Sequence, residues 1–105
     1  MTDAARERLA NRRASESFGF ECGSFRYVAT VSRFEDGRVA EIFISNHKAG
    51  SALDTAAKDS AVVASIALQH GVPLDVIRHA LLRDSRGVAS SPLGAALDRV
   101  GGQAL

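Results

Sequence analysis

An α+β domain, a three-stranded antiparallel sheet with helices packed on one face, is predicted by three observations. Residues 18–45 alternate apolar and polar side chains and are broken by Gly23 and by the Asp36-Gly37 pair, which is the period of strands joined by tight turns. Residues 51–70 then change to an apolar stripe with helical spacing and stop at Gly71 and Pro73. Ser91-Pro92 opens a second stripe, a serine N-cap followed by proline at the first helical position.

Each element follows in order. Residues 2–14 are rich in Ala and Arg with Leu9 as their only large apolar residue, so a basic N-terminal arm or a frayed helix is expected there. Phe18, Phe20 and Cys22 share one face of a first strand, and FRYVATVSRF after Gly23 reads as a second. The Asp36-Gly37 dipeptide tolerates positive φ and should close a hairpin between Phe25–Phe34 and Val39–Ser45. In the third strand Ile42 and Ile44 are expected to face the core, which turns Phe43 to the other side.

The long helix is expected to bury Leu53, Ala56, Ala57, Ala64, Ala67 and Leu68, with Val63 between them. Gly71 is its left-handed stop. A second helix should run from Pro73 to about Leu82 and bury Val76, Ile77, Ala80 and Leu81. DSRGVASS at 84–91 reads as loop, and Leu93, Ala96, Leu97 and Val100 mark the buried side of a terminal helix. The organisation expected is thus an arm or helix over 1–14, one domain over 15–100 and a frayed tail over 101–105.

The chain of 105 residues is 46% apolar and 24% charged, the balance of one ordinary globular domain. Thirteen Lys and Arg against twelve Asp and Glu leave a formal charge of +1, so no global attraction to nucleic acid or anionic lipid is expected. No apolar run is long enough to span a bilayer and no signal-like segment opens the chain, which makes the cytoplasm the expected location and excludes a membrane partner. The single cysteine, Cys22, rules out an intrachain disulfide and reads as a small buried side chain on a strand face.

Two groups of residues are candidates for binding. His47, Lys48 and Ser51 surround Gly50 at the start of the long helix, where free backbone N–H groups favour an anion. Ser51-Ala-Leu-Asp54 also matches a capping box, in which Asp54 would turn back to the N-cap amide and fill the same field. Arg6, Arg8, Arg12 and Arg13 form a basic arm suited to nucleic acid. His70 and His79 lack the further ligands of a zinc site, no Ser/His/Asp set or phosphate loop is present, and no metal or catalytic residue is assigned.

The segments RRASESF, VATVSRFEDGRVAEIFISNHKAGS, SIALQHGVPLDVIRHAL and SSPLGAALD together resemble the TSCPD domain. That family occurs at the C-terminal end of adenosylcobalamin-dependent ribonucleoside-diphosphate reductases and as small stand-alone proteins. The likeness runs from about Arg12 to Val100, and its most specific parts are Gly37 to Ile44, the following HKAGS, and LQHGVP. Reduction in that family needs a thiyl-radical cysteine, a redox cysteine pair and a cobalamin-binding barrel, whereas this chain has one cysteine, and SSPLG stands where the string TSCPD would be. The resemblance therefore implies a non-catalytic accessory or binding module linked to deoxyribonucleotide supply, with adenosylcobalamin only by association with the family's full-length enzymes. A ribonucleotide reductase subunit or a nucleotide is the implied partner. A nucleic-acid-binding module and a structural homodimer are the alternatives.

Overall fold

The computed structural model describes residues 5–11 and 14–101. It contains β1 (Ser15–Cys22), β2 (Phe25–Arg33), β3 (Val39–Asn46), α1 (Ala52–Gln69), α2 (Leu74–Ala80) and α3 (Pro92–Gly101). The strands form one antiparallel sheet in the order β1-β2-β3, and the α+β architecture read from the sequence is the one that forms.

Both hairpins close through left-handed residues. Gly23 and Ser24, at φ 59° and 72°, make a two-residue turn beneath the Cys22–Phe25 pair, the arrangement whose twist matches the flanking strands. In the second hairpin Gly37 at φ 94° donates its N–H to the Phe34 carbonyl at 2.9 Å, and Phe34 N–H donates to Arg38 O at 2.8 Å. The Asp36 carboxylate accepts from the Arg38 backbone N–H and from its Nε. Those bonds hold the carboxyl below the usual range for an aspartate.

The pleat then divides the sheet. Phe20, Tyr27, Ala29, Val31, Ile42 and Ile44 are buried on one face. They meet Ala57, Ala61, Ala64 and Leu68 of α1 and Leu93, Ala96 and Leu97 of α3 in a single cluster. Phe18 leans on Phe20 and Phe20 stacks on Tyr27. The opposite face carries Phe43 at 48% exposure and Val28 at 47%, as the alternation requires.

α1 departs from the expected stripe. It buries Asp54, Ala57, Ala61, Ala64, Ser65, Leu68 and Gln69, and leaves Leu53, Ala56 and Val63 exposed. The reason is that α1 lies along β3, an edge strand whose outward backbone groups need partners. Ser65 Oγ accepts from Ile42 N–H and sits 2.9 Å from Ile42 O. Gln69 Nε2 donates to Ala40 O at 3.0 Å, and Asn46 N–H donates to Asp54 Oδ1 at 2.9 Å. Small alanines between these polar groups let the helix come close enough for the bonds to form.

At its C-terminus α1 ends in a Schellman arrangement, with Val72 N–H donating to Ala67 O and Gly71 N–H to Leu68 O, Gly71 standing at φ 93°. α2 is shorter than expected and has no fully buried residue: Val76 and Ala80 are exposed, while Leu74, Ile77 and Leu81 pack partly against the core. Seven residues give it under two turns of apolar face, and ion pairs add to that contact. Arg83 makes two 2.7 Å bonds to the Asp98 carboxylate and Arg78 Nε a third at 3.1 Å, joining α2 and the following loop to α3. These bonds, Arg83 first, depress the Asp98 pKa, and burial only partly offsets them. Ser91 caps α3, accepting from Gly94 N–H.

Replacing Ser65 with Ala leaves the buried Ile42 N–H unpaired and is expected to cost about 1–3 kcal/mol of stability. Val63→Ala, on the exposed side of the same helix, should stay within about 0.5 kcal/mol. Urea titration of both variants checks the contrast.

Candidate functional site

At the corner before α1 the chain turns through residues 47–50, all exposed, and brings His47, Lys48 and Ser51 together around Gly50. The amides of Asn46, Gly50 and Asp54 at this corner already have partners within the chain. Asp54, only 1% exposed, accepts from Gly50 N–H at 3.1 Å and from Asn46 N–H at 2.9 Å. Lys58, one turn on, pairs with the same carboxylate at 2.9 Å. Ser51 Oγ accepts from Asp54 N–H at 3.1 Å, as in half of a capping box. The other half differs: Asp54 reaches Gly50 and Asn46 rather than the Ser51 amide, because the end of β3 lies within its reach and its outward N–H must be met. Lys58 first, then the two amides, hold the Asp54 carboxyl below its ordinary value. The corner thus already contains a buried anion of its own.

The basic arm forms neither helix nor strand over residues 5–11; Arg12 and Arg13 lie outside the described residues. Glu7 N–H donates to the Gln69 carbonyl at 2.7 Å and Arg6 Nε donates to Gln69 Oε1. The Glu7 carboxylate accepts from Arg38 Nη2 at 3.1 Å. Arg6 therefore sits at the C-terminus of α1, where a cation is favoured by the helix dipole, and Arg8 remains exposed. Arg8 lines one concavity with Arg33, in which Glu7, Glu35 and Asp36 interleave the two cations, and Glu7 and Asp36 share Arg38 between them.

Of the concave surfaces among the described residues, two bear on binding away from the arm. A cleft of about 460 Å³ opens between the second hairpin and the α1–α2 turn, with Arg33 and Arg38 at its rim and Val39, Leu68, Leu74 and Val100 below. Both guanidiniums are engaged, Arg33 by Gly37 O and Glu16, Arg38 by Asp36 and Glu7, and Asp75 lines the same cleft. Its two cations are thus already paired with carboxylates of the chain. The second is a groove of about 260 Å³ on the bare face of the sheet, lined by Val28, Thr30, Phe43, Ser45, Lys58 and Val62. Phe43, Val28 and Val62 are each 45–48% exposed there, an apolar strip where β2, β3 and α1 meet.

Cys22 is half-buried on β1, and burial pushes its thiol pKa up, which disfavours the nucleophilic thiolate. Among the described residues no group of three or more His, Cys, Asp or Glu is placed to hold a metal. No helix there is long and apolar enough to cross a membrane. Sequence reasoning missed the Arg78–Asp98–Arg83 cluster and the roles of Ser65 and Gln69. The signal was present, since Asp54, Ser65 and Gln69 are spaced by eleven and four and so fall on one helix face.

The TSCPD domain model matches residues 5–101. Over 70 residues, 67% of this chain, the sequence is 37% identical to a vitamin B12-dependent ribonucleotide reductase of Bradyrhizobium diazoefficiens and 39% identical to one of Agrobacterium fabrum, in each case covering 6% of the relative. A third such reductase, of Rhodopirellula baltica, is 38% identical over 72 residues, which is 69% of this chain and 7% of the relative. The chain thus corresponds to less than a tenth of the length of these relatives. No solved structure matches it significantly.

If Asp54 serves the fold rather than a ligand, Asp54→Asn should lower the melting temperature more than Ser51→Ala, whose lost cap is worth about 1 kcal/mol. The folded-state pKa of Asp54 is depressed, so its contribution is complete above the ordinary carboxylate value of about 4 and is lost as pH falls through the folded value. The gap between wild type and Asp54→Asn should accordingly narrow below about pH 4. Thermal shift with and without inorganic phosphate, across pH, reads both effects; phosphate protection that Lys48→Ala removes would overturn this account.

Proposed function

The chain belongs to the TSCPD domain family, and from that premise we propose that it is a non-catalytic accessory module that docks on a vitamin B12-dependent ribonucleotide reductase. The observation that carries this reading is the match itself: the TSCPD domain model covers residues 5–101, and two thirds of the chain is similar to a short segment of much longer enzymes bearing that name. Supporting it, the one thiol is half-buried and its pKa raised, and the corner amides are committed to Asp54. Both observations support binding rather than chemistry as the part this module plays.

The docking surface in this reading is the groove around Phe43. A three-stranded sheet with helices on one side only leaves the other side apolar and wet, and a relative more than ten times longer has ample surface to cover it. Lys58 at the groove margin is tied to Asp54, so the recognition is chiefly apolar. Through such docking the module would act in deoxyribonucleotide supply.

The purified chain is expected to bind a vitamin B12-dependent ribonucleotide reductase from the same cell in a two-component assay, and to reduce no nucleotide alone. Phe43→Asp should weaken that binding about tenfold or more, the loss expected on truncating a buried aromatic anchor, with little change in melting temperature because Phe43 is already half-exposed. Absence of binding by the wild type, or nucleotide reduction by the chain alone, would refute the proposal.

A further inference from the structure

The two edges of the sheet are finished very differently. On β3 the outward backbone groups of Ala40, Ile42 and Asn46 are met by Gln69, Ser65 and Asp54 of α1. On β1 the outward residues follow from the register. Ile42 bonds outward to Ser65, so its partner Val31 bonds toward β1 and pairs there with Glu16. Even-numbered residues of β1 thus bond to β2, and Ser15, Ser17, Gly19 and Glu21 direct their N–H and C=O groups to the free edge. The 2.8 Å contact between the side chains of Ser17 and Thr30 fits this, since it is the close contact of a pair that exchanges no backbone bonds. Arg99 reaches that edge: it donates from Nη1 to Gly19 O at 3.1 Å and lies over the Phe18 ring at 4.6 Å.

An eight-residue edge strand with its donors and acceptors turned outward is a template for another strand. We propose that β1 pairs antiparallel with β1 of a second copy of this chain, about a two-fold axis at Gly19, giving a continuous six-stranded sheet. The sequence SESFGFEC suits itself in this register. Gly19 meets Gly19 of the second copy, where the missing side chains ease approach, and Ser17 meets Glu21, so three outward pairs per dimer each exchange two N–H···O bonds. On the core face Phe18 falls opposite Phe20, an aromatic cross-strand pair. Glu16 falls opposite Cys22 and Glu21 opposite Ser17, so no like charges face each other across the junction.

Arg99 acts against this association. Its guanidinium occupies Gly19 O, one of the acceptors at the two-fold axis, and has to swing aside before the strands join. The junction is also narrow, at the small end of specific interfaces, so the dimer is weak and concentration-dependent.

Sedimentation equilibrium of the full chain from about 1 μM to about 1 mM tests this directly. The wild type is expected to show a reversible monomer–dimer equilibrium. Ser17→Pro removes an outward N–H that β2 does not use, and should weaken dimerisation about tenfold or more relative to Ser17→Ala, which loses the same hydroxyl contact to Thr30 but keeps the N–H. Arg99→Ala, which frees Gly19 O, should tighten it. Independently of any variant, the amides of Ser17, Gly19 and Glu21 should gain protection from hydrogen exchange as concentration rises, and those amides in particular. A monomer throughout the range would overturn the proposal, as would a dimer with no added protection at these amides. A dimer unaffected by Ser17→Pro but lost in Phe43→Asp would move the junction to the bare sheet face and equally overturn it.

Discussion

The fold depends on how α1 meets β3. An edge strand within a small domain has backbone groups that must find partners in water or in protein, and here a helix lies beside it and supplies them from Asp54, Ser65 and Gln69. These are the polar side chains buried on α1, and the alanines among them make room for the bonds. Much else follows. The Asp54 carboxylate fixes the corner that leads into the helix, Gln69 receives the N-terminal arm through both its carbonyl and its side chain, and the strand below keeps Ile42 and Ile44 on the core face.

That dependence also explains what was legible in the sequence. The strands, both turns, the Gly71 stop and the Ser91-Pro92 start each rest on local rules, alternation, positive φ and capping, and each appears where those rules place it. The buried face of α1 does not rest on a local rule. An apolar-stripe reading puts Leu53 and Val63 inside, but the partner of α1 is largely a row of backbone amides and carbonyls, so the helix turns Ser65 and Gln69 inward instead. For α2, the expected burial of Val76 and Ala80 fails because so short a helix covers little, and ion pairs from Arg78 and Arg83 to Asp98 hold it in place.

The functional surface was legible only in part. Phe43 is marked by alternation as an outward aromatic, yet its neighbours Val28 and Val62 come from other elements, and only the fold brings them into one groove. The residues gathered by local sequence, His47, Lys48 and Ser51, do meet at one corner, but around a carboxylate rather than an open set of amides. Family membership supplies what neither source gives, a connection to vitamin B12-dependent ribonucleotide reductases through a domain that makes up a small fraction of them.

The chain distance between β1 and its helical cover bears on the order in which the domain assembles. β2, β3 and α1 are consecutive and contact one another directly, so they can form from nearby segments with little loop entropy. β1 is joined to α3 across a separation of 80 residues, as in the Arg99–Gly19 bond, and that contact waits until the rest of the chain has arrived. The contact between α3 and β1 is then a natural early place to open in the native state, while β1 stays tied to β2 through its two-residue turn.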